Sequence, residues 1–292
     1  MKEKNRFRKK EKLIETIFFL FGLVSVACVL LISVYLIASG IPAIREIGLF
    51  EFLFGTRWAS TAADPSYGIL PFILTSVYGT AGAIVLGVPA GFMTAVWISK
   101  SAPLRVRKIV ESMVDLLAGI PSVVYGLVGM MVLVPMIRRV FNVPDGASLL
   151  AAILVLAIMI LPSIIKVSVT ALDAVPSEYE DASRALGATD TETWFRVSVP
   201  AAASGIASAV VLGVGRAIGE AMAVMMVAGN VANMPSLFQS VRFLTTAVAS
   251  EMSYSSGLQR QALFSIALVL FIFIMMINAL LHRIIRKGGT VK

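Results

Sequence analysis

Along its length the chain alternates long stretches free of Asp, Glu, Lys and Arg with short charged clusters. Seven such stretches stand out, at 16–44, 65–99, 116–137, 146–165, 197–215, 221–241 and 261–281. Each is close to or beyond the roughly 20 residues that an α-helix needs to cross hydrocarbon. The first is too long for the core of a signal peptide and lacks a small-residue cleavage site, so it reads as a membrane anchor. The fifth and sixth are separated only by Arg216-Ala-Ile-Gly-Glu220, and the sixth turns polar at Asn230, Asn233 and Gln239. They merge into one predicted helix, about 201–227, followed by an irregular outer segment.

Positive charge decides between six passes and seven, because Lys and Arg are retained on the cytoplasmic side. With six, the inside holds 18 of them and the outside six, namely Arg45, Arg57, Arg138, Arg139, Arg242 and Arg260. A seventh pass moves the C-terminal tail outside and weakens the contrast. The expected fold is therefore an all-α membrane protein of six transmembrane helices with both termini cytoplasmic. It divides into a basic N-terminus, first helix and outer loop (1–67), a five-helix core (68–285) with a long inner loop at about 172–200, and a tail (286–292). In the outer loop Phe50, Phe52, Phe54 and Trp58 fit either a docking surface or aromatics anchored at the lipid interface.

Composition agrees: 58% of the 292 residues are hydrophobic and 14% charged, where soluble domains carry about a quarter charged. The net charge of +8 does not point to nucleic acid, since its cations sit at the ends of apolar runs and form no stripe. Instead the basic stretch before Leu13 suits orientation and contact with membrane lipid headgroups. One cysteine, Cys28, excludes an internal disulfide, and one histidine, His282, leaves little for a His/Cys metal site. No Gly-x-x-x-x-Gly-Lys-Ser/Thr loop is present to hold nucleotide phosphates. Intramembrane proteolysis lacks its residues too: His282 lies outside the last span and Asp115 has no acidic partner in another. Glu111 and Asp115, placed near the start of the third span, suit the positive end of that helix.

The inner loop from 176 to 200 is the most informative stretch. Ser177 followed by Glu180 forms a Ser-x-x-Glu capping box, Ala182, Ala185 and Leu186 continue a helix, and Gly187 can end it with positive φ. A short helix, a sharp turn and a second amphipathic segment would make a rigid knob for another protein.

At this point the sequence resembles the binding-protein-dependent ABC importer permeases, whose loop reads Glu-Ala-Ala, three residues, Gly, then Leu-Pro about a dozen residues on. Here it appears as Asp181-Ala182-Ser183, Gly187 and Val199-Pro200. Gly68-Ile-Leu-Pro-Phe-Ile73, Leu117-Ala-Gly-Ile-Pro-Ser-Val-Val-Tyr-Gly-Leu127 and Gly215-Arg-Ala-Ile-Gly-Glu-Ala-Met-Ala223 narrow the resemblance to PstC-type permeases of phosphate importers. That resemblance runs from about Trp58 to the end. It implies a type I permease subunit of an ATP-driven importer, not itself an enzyme, moving inorganic phosphate across the prokaryotic plasma membrane. Implied partners are a PstA-type sister permease, two ATPase subunits that use ATP and Mg, and an extracytoplasmic phosphate-binding protein. No cofactor is expected on this chain. Glu180, Asp181, Ala182 and Gly187 would belong to the coupling helix that sits in an ATPase cleft.

Arg216 and Glu220 lie well inside the fifth helix, where a charge costs roughly 2.5 to 3.5 kcal/mol on insertion scales. At spacing i, i+4 they share a face and can pair. One reading gives Arg216 to the phosphate oxygens as a planar, permanently charged fork, with Glu220 holding it when the path is empty or accepting a proton-bearing oxygen. The other makes them a neutral pair that fixes packing, helped by Gly215-x-x-x-Gly219. Gly87, Gly91, Gly126 and Gly129 read as packing surfaces. Competing functions are a permease for sulfate or molybdate, a secondary transporter driven by an ion gradient, and a membrane scaffold.

Overall fold

The computed structural model describes residues 2–288; Met1 and 289–292, most of the expected tail, lie outside the described residues. The chain opens with α1 (Lys2–Ile47), whose apolar part spans 14–47, and a short α2 (Leu49–Phe54). A two-stranded hairpin follows, β1 (Trp58–Ala59) antiparallel to β2 (Ser66–Tyr67), leading into α3 (Leu70–Lys100). Phe52 and Trp58 are buried with Phe72 and Leu263, so half of the aromatic cluster is core. Phe50 and Phe54 remain exposed and stack on each other with centroids 6.1 Å apart.

The stretch before the third pass departs from expectation. Pro103 starts a separate helix, α4 (Leu104–Gly119), which ends before Pro121, and the pass itself begins only at Ser122. Glu111 and Asp115 are therefore on α4 and not at the head of a span. Glu111 accepts from Arg107 at 2.8 Å, and Asp115 pairs with Lys166 at 2.5 Å. The third pass consists of α5 (Ser122–Val128), a π turn (Gly129–Leu133) and α6 (Val134–Val140). A second π turn (Trp194–Ser198) occurs later, and each lies just ahead of a proline, Pro135 or Pro200. The wider turn gives room to a ring that would otherwise strike the carbonyl four residues back.

The centre of the bundle is α7 (Leu149–Asp173), with 61% of its most apolar window buried against 0% for α1. It packs chiefly on α3 and on a later helix, Ala203–Gly219. Ile160 and Ile164 lie against Gly87 and Gly91, where a Cβ would stand 2.7 and 2.9 Å from them. Gly126 likewise meets Ala223, and Gly129 meets Val155 and Val227. These four glycines are helix contacts.

After α7 come α8 (Ser177–Ala185), α9 (Asp190–Thr193), the second π turn and α10 (Val199–Ala201). The chain then bends by 72° into α11 (Ala203–Gly219). The predicted single helix over 201–227 is not continuous: it stops at Gly219, Glu220 is extended, and α12 (Met222–Val227) restarts beyond it. An irregular run to Phe243, with positive φ at Gly229 and Asn230, leads to α13 (Leu244–Glu251), which sequence reading missed. The last pass is α14 (Gly257–Gly288), against which α1 lies. Among the described residues five helices are long and apolar enough to cross a membrane, or up to six if the bent pair is one pass.

Candidate functional site

Two places carry the expected chemistry. The first is the loop after α7. Its helix α8 starts one residue earlier than a serine cap allows: Pro176 occupies the N-cap, no side chain caps it, and the Ser177/Glu180 capping box does not form. Glu180 is engaged elsewhere. Its Oε1 accepts from Lys100 Nζ at 2.6 Å and from Ser198 Oγ at 2.7 Å, and its side chain is 12% exposed. Burial pushes this carboxyl up, but the hydrogen bonds from Lys100 and Ser198, with the charges of Lys100 and Arg184, outweigh it and hold the group below its ordinary value.

A capping box does form one helix later. Thr189 Oγ1 accepts from the Glu192 amide, and Glu192 Oε2 accepts from the Thr189 amide at 3.1 Å. The bond from the Thr189 amide draws the Glu192 carboxyl below its usual value. Between the two helices Gly187 adopts φ +88°, as its place in the turn requires. Arg184 reaches Asp190 at 2.9 Å and Asp181 at 3.3 Å, and its bond to Asp190 raises its pKa.

Of the predicted coupling residues, then, Glu180 faces inward while Asp181, 72% exposed, faces out, with Ala182 and Gly187 on the exposed part of the loop. Leu186 is 91% exposed at the tip. The loop thus presents an apolar point beside acidic groups on a braced frame. Lys100 and Ser198 were not singled out from sequence. Lys100 ends an apolar run, which is a signal for a membrane boundary but not for a partner 80 residues away.

The second place is the end of α11. Arg216 and Glu220 are both half-buried, but they do not pair. Because the helix stops at Gly219, the i, i+4 geometry that would have joined them is lost. Glu220 Oε1 instead accepts from the Ala223 amide at 3.0 Å, capping α12, and its carbonyl accepts from Thr245 Oγ1 at 2.9 Å. Among the described residues Arg216 has no hydrogen bond or ion pair, and it lies within electrostatic reach of Tyr125. Gly215 and Gly219 have nothing within 4 Å of a would-be Cβ, so that glycine pair makes no packing contact within this chain. Among the described residues of this chain, then, neither an ion pair nor a glycine contact accompanies Arg216 and Glu220.

A bundle of up to six passes, with a charged and interrupted fifth pass and a braced helical loop at one end, defines a multi-pass membrane permease. Residues 87–288 match the family described as binding-protein-dependent transport system inner membrane component, and the chain belongs to that family. It is a plasma-membrane protein with the type I ABC importer permease fold. It is similar to the probable ABC transporter permease protein YqgH of Bacillus subtilis, 38% identical over 90% of this chain and 88% of that one. It is also similar to the phosphate transport system permease protein PstC of Pasteurella multocida, 33% identical over 82% of each. PstC of Haemophilus influenzae is 32% identical over 94% of this chain and 92% of its own. Among solved structures, a bacterial alginate ABC transporter in complex with its pentasaccharide-bound periplasmic protein aligns at TM-score 0.61, with 16% identity and 96% of each chain covered. The inward-facing MetNI methionine ABC transporter aligns at TM-score 0.59, with 20% identity over 75% of this chain and 97% of that one. Both show the fold alone.

Proposed function

We propose that this chain is the PstC-type subunit of an ATP-driven importer and passes inorganic phosphate inward, with the end that carries α8 in the cytoplasm. The likeness to three named permeases, two of them phosphate permeases, supports the cargo. The charge contrast of 18 against six supports the orientation, which puts both termini inside. A PstA-type sister permease completes the pathway, two ATPase subunits use ATP and Mg at the α8 loop, and a phosphate-binding protein delivers from outside. Asp181, Ala182, Leu186 and Gly187 form the surface offered to the ATPase.

The observation that carries the substrate path is the unpaired state of Arg216. A guanidinium inside a membrane pass is costly unless compensated. Here Glu220 is committed to the α12 amide, and no other side chain among the described residues takes Arg216 up. An anion in transit would supply the compensation, held by two of the planar N–H donors. Glu220 shapes this path by holding the break and turning α12 away; its second role, acceptance of a phosphate O–H, needs only the oxygen that Ala223 leaves free.

Phosphate uptake into vesicles containing the assembled complex tests this. Arg216→Gln should abolish uptake while assembly and ligand binding by the binding protein persist, and Arg216→Lys should recover part. Near-normal uptake by Arg216→Met would defeat the path assignment. Uptake of sulfate or molybdate in place of phosphate by the unaltered complex would establish the alternative cargo.

A further inference from the structure

In the loop that follows α7, Thr193 and Ser198 are buried, but α8 has little of its own to fix it to the passes. No residue of α8 is buried, and an element without apolar burial is ordinarily mobile. Its covalent ties are the short connection 174–176 and a chain that bends by 72° before α11. Yet a force applied to α8 must reach the passes if the loop is to couple anything.

Lys100 supplies the missing link. It is the last residue of α3, its side chain is 10% exposed, and its ammonium donates to Glu180 Oε1 at 2.6 Å and to the Leu172 carbonyl at 3.0 Å. One group therefore joins the ends of α3 and α7 to α8, and Ser198 brings in the π turn through the same Glu180 oxygen. Beside it Asp173 accepts from Ser99 Oγ at 2.6 Å and Arg107 Nη2 at 2.5 Å, which fastens α4 to the same corner. The far end of α4 is tied to α7 by Asp115 and Lys166. Since α4 leads into the third pass, displacing α8 with these bonds intact carries the ends of three helices with it.

We infer that the Lys100–Glu180 pair is the pin that transmits displacement of the α8 loop to α3, α7 and α4, and that Glu180 is a positioning residue and not a contact to the ATPase. This rests on the reading of α8 as the ATPase-docking element. The pin is separate from the docking surface: its carboxylate is turned inward, whereas Asp181 and Leu186 are exposed.

The test uses the complex reconstituted in vesicles, with co-purification of the ATPase, ATP hydrolysis and phosphate uptake measured on the same preparation. Lys100→Met should retain the ATPase and hydrolyse ATP, while phosphate taken up per ATP falls about tenfold, within the span of ordinary inter-site coupling. Glu180→Gln, which preserves volume and one acceptor, should fall in the same direction and serves if Lys100→Met does not insert. The exchange Lys100→Glu with Glu180→Lys should restore part of the ratio, which a merely structural loss would not. A wild-type uptake per ATP in Lys100→Met and Glu180→Gln would overturn the inference. Loss of the ATPase from these variants would overturn it too, because the pair would then build the docking surface. If the unaltered chain binds no ATPase, it is the docking reading that fails.

Discussion

Removing Glu251 should loosen the end of the bundle opposite α8. Glu251 pairs with Arg242 through Oε1, and its Oε2 accepts from Trp58 Nε1 at 3.3 Å and Gln259 Nε2 at 3.2 Å. Arg242 in turn donates to the Asn230 carbonyl at 2.9 Å and lies over the Phe72 ring. One carboxylate thus ties the hairpin, the irregular segment before α13 and the start of α14 together. Breaking a fully buried ion pair by deleting one partner costs about 3–5 kcal/mol. The two side chains here are 16% and 20% exposed, so solvent recovers part of that and about 2–3 kcal/mol remains. Orphaning the Trp58 and Gln259 donors brings the expected total to about 3 kcal/mol. In a chain of 292 residues each kcal/mol shifts the melting midpoint by about 2 °C, giving a fall of about 6 °C for Glu251→Ala. Tryptophan fluorescence of the detergent-purified complex during heating reads this directly, with Trp58 at the site itself. Arg242→Met with Glu251→Met removes both charges and should melt closer to wild type than the single variant does. A shift under about 2 °C for Glu251→Ala, or a double variant as damaged as the single, would refute the reasoning.

Gly68→Ala should also destabilise this end, by about 3 kcal/mol, because its Cβ would stand 2.3 Å from the Gly55 carbonyl carbon and backbone cannot step aside; the same melting assay checks it. Gly187→Val meets no atoms but must hold φ +88°, at a cost of about 1–2 kcal/mol confined to the turn. Uptake should therefore fall while the melting midpoint drops by no more than about 2–4 °C. The depressed Glu180 carboxyl sets a pH dependence: its contribution is complete above the ordinary value of 4.5 and is lost as pH falls through the lower folded value. Hydrogen exchange over 177–187, corrected for intrinsic rates, should show steady protection above that value and loss below it. Loss already near pH 6 would contradict the assignment.

The parts legible in the sequence are those that a single segment reports about itself. Charge-free runs gave the passes, small residues at helical spacing gave the contacts of Gly87 and Gly91 with α7, and Gly187 announced its turn. Parts that depend on a distant partner were not legible. Lys100 and Glu180 are 80 residues apart, and Trp58 and Glu251 are 193 apart, so neither pair leaves a local pattern. The Ser177/Glu180 capping box failed for the same reason: a local rule offered Glu180 one partner, and a buried ammonium from another helix was the stronger one. Its alternation of charges with Val106, Val110 and Val114 marks α4 as amphipathic, yet a search for charge-free windows passes over it. The break at Glu220 has only a weak local sign, Gly219, because glycine is common inside membrane helices that run on unbroken.

That break is tolerated because protein, and not lipid, receives the backbone groups it frees. Irregular backbone at membrane depth survives only where such groups find partners. Here the Glu220 carbonyl takes the Thr245 hydroxyl, and the Ala223 amide takes the Glu220 side chain. Past α12, the segment before α13 finds its partners at the start of α7, whose first amides lack intrahelical acceptors. The Ser148, Leu149 and Leu150 amides donate to the carbonyls of Val227, Gln239 and Leu237 at 3.0, 3.2 and 2.9 Å. Ser76 Oγ on α3 accepts from the Leu244 amide at 3.0 Å, which closes the other end. The interrupted pass and the unfinished N-terminus of the central helix therefore complete one another. This exchange leaves Arg216 as the half-buried charge of the fifth pass for which the described residues provide no partner, at the point where the chain turns.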